Sequence, residues 1–173
     1  MTEPTTADPD IALGSETPTD ADTATRTYVT FDLAEQTFGV DVAHVREILN
    51  RQKVSRLPGG APDCQGVIDT AGEAIPLIDL AGRLGLPGTE PSAETRIVVF
   101  EIVRDGHKLP IGILAERVLD VTQIADTDIE PAPTAALGSI EGHGIKGLTR
   151  LDGALVVLLD VDRIFHAGDA MTM

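Results

Sequence analysis

Alternating apolar and polar residues appear from Thr27 onward and predict short β-strands. In TYVTFDL, residues 27–33, the apolar side chains after Tyr28 recur at every second position, a period typical of a half-buried strand. Residues 34–37 predict a turn, and residues 38–40 predict the start of a returning strand. The first ordered element is therefore expected to be a β-hairpin.

Residues 41–50 change to a helical period. Val42, Val45 and Leu49 are spaced i, i+3 and i+7, which places them on one face of a helix, and Asp41 is suited to cap its start. A short helix is therefore expected here. The prolines and glycines that follow it predict a long connection.

A second hairpin is predicted in GVIDTAGEAIPLIDL, residues 66–80, with its turn at residues 70–73. This stretch aligns without a gap on GLTRLDGALVVLLDV, residues 147–161, at a separation of 81 positions (147 − 66 = 81). Weaker similarity upstream extends the repeat. Both halves of the chain are thus predicted to run strand, hairpin, strand, crossing segment, hairpin.

The fold class that follows is all-β with short helices, arranged as two similar five-stranded barrels, because closing a small sheet removes its exposed edges. Residues 27–92 are expected to form the first barrel and residues 93–166 the second. Residues 1–26 carry six acidic side chains and one arginine without apolar periodicity, which predicts a disordered acidic tail. Residues 167–173 are expected to form a short C-terminal tail.

Composition and charge narrow the classes of function. The formal net charge of −15 argues against binding nucleic acid, whose phosphates need clustered lysine and arginine, and against docking on anionic lipid. The sequence shows no secretory signal and no apolar run of about 18 residues, so a cytoplasmic protein without membrane insertion is expected. The core is expected to be aliphatic, since the chain has four Phe, one Tyr and no Trp.

Three acidic side chains in residues 66–80 raise the question of a metal site or a catalytic acid–base pair: Asp69, Glu73 and Asp79. Asp79 recurs as Asp160 in the repeat, each time after a run of apolar residues, where a carboxylate can accept backbone N–H bonds. The other two acids are not repeated. A structural role is therefore the favoured interpretation, and a carboxylate-dependent metal hydrolase is kept as an alternative.

Other chemical signals are weak. The four histidines show no metal-ligand spacing, and the single cysteine, Cys64, excludes an internal disulfide. Glycine-rich phosphate-binding motifs and the G-x-S-x-G nucleophile motif are absent from the sequence. No catalytic residue, metal or cofactor is expected, and protein binding is the remaining interpretation.

Four segments, taken in order, resemble the CheW family of chemotaxis coupling proteins: FDLAEQTFGVDVAHVREIL, VSRLP, GVIDTAGEAIPLIDL and GILAERVLDV. The resemblance runs from about Thr27 to Phe165 and implies two SH3-like barrels. It implies a non-catalytic adaptor that couples the cytoplasmic tips of chemoreceptors (methyl-accepting chemotaxis proteins) to the regulatory domain of the histidine kinase CheA. Such an adaptor would lie at the periphery of receptor arrays, with possible CheW–CheW or ring contacts.

The expected receptor- or kinase-binding residues are Val42, Val45, Arg46, Glu47, Leu49, Ala71, Gly72, Val118 and Val121. Val45 and Glu47 match family residues linked to receptor coupling, and Val118 and Val121 lie on the corresponding segment of the second half. The expected helix at 41–50 presents a mixed surface suited to protein contact, although a solvated helix face explains the same pattern. Structural turn positions are expected at Gly66, Gly147 and Gly153.

One departure from the family concerns the second hairpin turn. Family members usually read N-L-R-G where this chain has D-T-A-G, so Ala71 replaces an arginine, and Ala81 replaces another. Alanine cannot supply the bidentate, permanently charged donor of arginine. Either the partner has co-adapted, or coupling differs, or the chain serves a two-component pathway outside chemotaxis. A regulatory domain of a CheA-like protein is a further alternative.

Overall fold

The protein is described by a computed structural model that covers residues 24–88, 90–133 and 144–167. Ten strands run through these residues: β1 Thr25–Leu33, β2 Gln36–Asp41, β3 Val45–Asn50, β4 Cys64–Thr70, β5 Glu73–Ile78, β6 Arg96–Arg104, β7 His107–Ala115, β8 Arg117–Ala125, β9 Ile145–Leu151 and β10 Ala154–Leu159. The helices are α1 Leu80–Arg83, α2 Val161–Ala167 and two 3₁₀ turns, Val42–His44 and Asp126–Asp128. The mostly-β fold is as predicted.

The N-terminal strand begins earlier than the pattern indicated. Thr25 and Arg26 already pair with β8, opposite Ala125 and Ile124, so the tail expected over residues 1–26 overlaps β1. Its first 23 residues lie outside the described part of the chain, as do residues 168–173 of the expected C-terminal tail.

The prediction of a helix over residues 41–50 is wrong. Asp41 does cap a helical turn, since its Oδ1 accepts a hydrogen bond from the Ala43 N–H at 2.9 Å, but that turn ends at His44. The following residues form β3, which pairs antiparallel with β6. Cross-strand pairing thus overrides the helical spacing, and the β-branched Val45 and Ile48 are well suited to a strand.

All four hairpins close through two-residue turns: Ala34-Glu35, Ala71-Gly72, Asp105-Gly106 and Asp152-Gly153. Both central residues of each turn have positive φ, as in type I′ turns, whose twist matches that of the flanking strands. Gly153 therefore lies in a turn as expected, with φ +81°. Gly66 and Gly147 do not; they lie inside β4 and β9, and their assignment to turns is wrong.

Each sheet takes strands from both halves of the chain. The strand orders are β8-β1-β2-β10-β9 in one sheet and β3-β6-β7-β5-β4 in the other. The first hairpin of each half therefore completes the sheet of the other half, through parallel pairing of β2 with β10 and of β7 with β5. The expected division into residues 27–92 and 93–166 is corrected accordingly, because parallel partners come from distant segments.

A single β-bridge closes each sheet into a barrel. Ser55 exchanges two backbone hydrogen bonds of 2.8 Å with Val67, and Glu130 exchanges two of 2.7 Å with Leu148. We call the barrel of β1, β2, β8, β9 and β10 barrel A, and that of β3–β7 barrel B. The predicted pair of five-stranded SH3-like barrels is therefore confirmed.

Gly66 allows β4 to lie close to the backbone of Ser55 where barrel B closes. A Cβ added there would lie 2.4 Å from the Ser55 carbonyl oxygen, and φ is +137°. Gly147 has the same position in barrel A, where an added Cβ would lie 2.7 Å from the Glu130 carbonyl oxygen. The repeated glycines are thus required by strand contact rather than by a turn.

The main core lies between the barrels and joins them. Phe31 and Phe38 of barrel A and Phe100 and Ile113 of barrel B are buried in it together with Phe165 of α2. A smaller aliphatic cluster fills barrel B, and a cluster that includes Tyr28 fills barrel A. Among the described residues, no helix is long and apolar enough to cross a membrane.

Candidate functional site

The predicted site residues on β3 and at the β4–β5 turn are connected by an ion pair. Arg46 Nη2 donates a hydrogen bond to Glu73 Oε1 at 2.6 Å. Arg46 lies at a bulge in β3, and Glu73 is the first residue of β5, next to the Ala71-Gly72 turn. Residues that are 27 positions apart in sequence thus form one surface on barrel B, which we call the β3–turn surface.

Three carboxylates surround the Arg46 guanidinium. The hydrogen bond with Glu73 raises the pKa of Arg46 above its ordinary value. Desolvation lowers this pKa, and the negative charges of Glu73, Glu101 and Glu47 raise it. Arg46 therefore stays charged, and both members of its ion pair remain partly accessible to solvent. The β3–turn surface consequently offers a fixed mixture of positive and negative charge to a partner.

Strand alternation along β3 decides which side chains a partner can reach. Val45, Glu47 and Leu49 are half-buried, whereas Arg46 and Ile48 are exposed. Leu49 packs on the interior of barrel B and Val45 packs on the main core. Both side chains therefore hold β3 in place and offer little surface to a partner. Ile48, at 40% exposure, is a surface residue that the helical interpretation missed.

The second-half residues lie on a different barrel. Val118 and Val121 belong to β8, at the edge of barrel A. Val118 is half-buried against the main core, and Val121 is 56% exposed beside the exposed Leu119. The structure therefore distributes the predicted residues over both barrels. Val42 is exposed on the 3₁₀ turn that precedes β3.

A cavity of about 520 Å³ lies between barrel B and α2. Apolar side chains from three strands, the connection before β4 and α2 line much of it: Leu57, Pro76, Ile102, Leu109, Ile111 and Phe165. Arg83 forms part of its wall, where it pairs with Asp63 and lies over the Phe165 ring. An open apolar cavity of this size fits side chains of a docked helix.

The acidic trio of residues 66–80 is dispersed over separate structural roles. Asp69 is exposed on β4, and Glu73 pairs with Arg46. Asp79 Oδ1 accepts a hydrogen bond from the Gly82 N–H at 3.1 Å, and Asp160 Oδ1 accepts one from the Arg163 N–H at 3.3 Å, as the repeat predicted. Within the described ranges, no group of three or more His, Cys, Asp or Glu side chains is placed to hold a metal ion.

These features define a class of protein: a double-barrel β-protein with an accessible charged surface and an open, largely apolar cavity. Comparison with known families gives the same class a name. The family model of the CheW-like domain matches residues 27–169, so the chain belongs to the CheW-like family of chemotaxis scaffold proteins.

Individual relatives agree with this assignment. The chain is 28% identical over 140 residues to the chemotaxis protein CheW of Rhizobium meliloti (strain 1021), covering 81% of this chain and 87% of the relative. It is 28% identical over 138 residues to the chemotaxis protein CheW of Thermotoga maritima, covering 80% and 86%. The crystal structure of the scaffolding protein TtCheW from Thermoanaerobacter tengcongensis matches with a TM-score of 0.71 and 27% identity, covering 81% and 87%.

Proposed function

We propose that the chain is a non-catalytic adaptor that couples chemoreceptor tips to the regulatory domain of a CheA-type histidine kinase, on the cytoplasmic side of receptor arrays. The observation that carries the proposal is the Arg46–Glu73 ion pair, which unites the β3 residues and the hairpin turn on one accessible surface. Family membership supplies the class of partner.

Two docking regions support a bridging role. The cavity between barrel B and α2 offers an apolar groove to a receptor tip helix, and the end of a barrel offers a separate surface to the kinase domain. Receptor state is then passed on as a change in the relative geometry of the bound partners, which shifts the active population of the kinase. No covalent step is required of the adaptor.

Replacing Glu47 with Lys tests this role. The change places a second cation beside Arg46 and reverses the local charge, so co-assembly with receptor and kinase should weaken by roughly tenfold or more. Glu90→Lys, at an exposed position in the connection before β6, makes the same charge change and serves as the control. Unchanged pull-down and kinase control in Glu47→Lys, with the fold intact by circular dichroism, would remove Glu47 from the site.

A second candidate is a CheW-like module of a two-component pathway outside chemotaxis. Ala71 favours it, because the arginine that the family usually carries there is absent and the turn side chain offers no charge. A pull-down from the native cell discriminates the two. Recovery of a chemoreceptor with a histidine kinase supports the first proposal, and recovery of a kinase without chemoreceptors supports the second.

A further inference from the structure

Barrel A has a second cavity, of about 390 Å³, in a place equivalent to that of the cavity of about 520 Å³ on barrel B. We call the larger one cavity B and the smaller one cavity A. Phe165 at cavity B matches Leu84 at cavity A through the separation of the repeat (165 − 84 = 81). The same separation relates three further pairs of wall residues: Cys64 and Ile145, Pro76 and Val157, Ile78 and Leu159.

The chain that leaves α1 forms the edge of cavity A. Leu86 lines this cavity and packs against the main core, and its N–H donates a hydrogen bond of 2.8 Å to the Ala81 carbonyl oxygen. In the second half the position that matches Leu86 is Ala167 (167 − 86 = 81), a residue with a much smaller apolar side chain. Cavity B therefore has no leucine at the matching position, which agrees with its larger volume.

The next apolar side chains after α2 that can fill such a space belong to methionines. α2 ends at Ala167, two positions after Phe165, which forms part of the wall of cavity B. Residues 168–173 read GDAMTM. An extended chain advances by up to about 3.5 Å per residue, so Met171 lies within about 14 Å of Ala167. Methionine is unbranched and flexible, and it suits an irregular apolar cavity.

Asp63, also in the wall of cavity B, favours a particular kind of occupant. Its Oδ1 is buried and has no hydrogen-bond partner in the described part of the chain. The N–H groups in the interior of a helix are bonded within that helix, whereas those of an irregular segment are free to donate. The unpaired oxygen thus favours an irregular segment as the occupant of cavity B.

We propose that residues 168–173 fold back onto cavity B in an extended conformation and place the side chains of Met171 and Met173 in it. Alternate residues of an extended chain point to the same side, so Thr172 faces away from the cavity. The segment takes the place that Leu86 has at cavity A. A helix that docks in cavity B must displace it; this consequence rests on the proposed function, whereas the occupancy itself does not.

Methyl nuclear magnetic resonance of the full-length chain tests the contact directly. Methionine with ¹³C in its methyl group gives few signals, because the sequence has only Met1, Met171 and Met173. The methyl groups of Met171 and Met173, assigned with Met171→Leu and Met173→Leu, should show nuclear Overhauser effects to the ring protons of Phe165. Absence of the effect from both methyl groups would overturn the proposal.

The reactivity of Cys64 is an independent readout of the same occupancy. Cys64 is the single cysteine of the chain, lines cavity B and is half-buried. Met171→Asp should raise the rate of its alkylation by N-ethylmaleimide by about tenfold or more, because a carboxylate does not enter an apolar cavity and the segment then leaves the thiol uncovered. Thr172→Asp adds the same charge one position away and should leave the rate unchanged. Equal rates in the two variants would contradict the proposed occupancy.

A second copy of the chain is the competing occupant. In a mixture of one copy labelled at methionine and another labelled at phenylalanine, no nuclear Overhauser effect between the two labels is expected, since each copy fills its own cavity. Its appearance would place the methionines in a neighbouring copy, and the proposal would be wrong. These measurements contain neither receptor nor kinase, so their failure would leave the coupling proposal untouched.

Discussion

At the scale of single residues, the turn between β4 and β5 has a strained backbone at Ala71. Ala71 adopts φ +53°, a left-handed conformation that costs most L-residues roughly 1–2 kcal/mol and that aspartate or asparagine tolerates better. The equivalent turn in the other half uses Asp152 at φ +52°. Ala71 thus lacks the conformational preference of a turn residue.

Ala71→Asn should therefore stabilise the protein. Asn-Gly is a preferred type I′ pair, so we expect the free energy of unfolding to rise by about 1 kcal/mol in urea denaturation. Asp152→Asn is the matched control and should change it little, since aspartate already suits that conformation. Equal shifts in the two variants would contradict the role of backbone strain at Ala71.

Single-residue predictions that used the repeat succeeded for one pair of residues and failed for another, since Gly66 and Gly147 lie in strands rather than in turns. Asp79 and Asp160 were predicted to accept backbone hydrogen bonds at strand ends, and they do. The Arg46–Glu73 pair had no such signal, because neither motif nor periodicity reports a contact across 27 positions. Barrel closure alone brings the two side chains together.

At the scale of elements, the misassigned helix shows where local pattern loses to pairing. Residues 41–50 satisfy a helical spacing and begin with a functional cap at Asp41, yet the chain leaves the helical turn after His44. The edge of β6 offers antiparallel pairing to Val45–Asn50, and that partner is about 50 residues further along the chain. The residues near β3 in the sequence carry no information about so distant a partner strand. The hairpins predicted within residues 27–40 and 66–80 were located correctly, because their two strands are adjacent in sequence.

Arg83 is a largely buried side chain that connects elements of the two halves. Its guanidinium on α1 pairs with Asp63, donates a hydrogen bond of 3.1 Å to the Ile164 carbonyl oxygen and lies 5.2 Å from the centre of the Phe165 ring. Its side chain is 13% exposed and that of Asp63 is 17% exposed. Asp63 Oδ1 is buried without a hydrogen-bond partner in the described structure, so Arg83 is the main compensation for this carboxylate.

Arg83→Met should accordingly destabilise the fold by roughly 3 kcal/mol, since it leaves a largely buried carboxylate without its cation. The double variant Arg83→Met/Asp63→Asn should recover part of that loss, which chemical denaturation of both variants measures. If the double variant is no more stable than Arg83→Met, the unpaired Asp63 carboxylate is not the source of the loss, and the contacts of the arginine with α2 account for it instead.

At the scale of the whole molecule, the repeat predicted the number and type of the barrels but not their membership. Each barrel was expected from consecutive strands, whereas each contains the first hairpin of the other half. The parallel pairs β2–β10 and β5–β7 are what exchange the hairpins. A repeat in sequence is equally compatible with two consecutive barrels or two exchanged ones, so sequence alone could not choose between them.

The exchange makes a prediction about the separated halves. A fragment of residues 1–92 holds β1–β5 and therefore lacks β6 and β7, which lie between β3 and β5 in barrel B. It also lacks β8, β9 and β10, the other three strands of barrel A. Neither this fragment nor residues 93–173 should fold alone, because the main core needs Phe31 and Phe100 together. When the two fragments are mixed, they should restore the circular dichroism spectrum and cooperative unfolding of the intact chain.

A chain cleaved between residues 92 and 93 after folding is the control and should remain assembled. A stably folded, monomeric fragment of residues 1–92 would instead mean that the first half can close its own barrel, and the exchanged hairpins would then be one of two accessible arrangements.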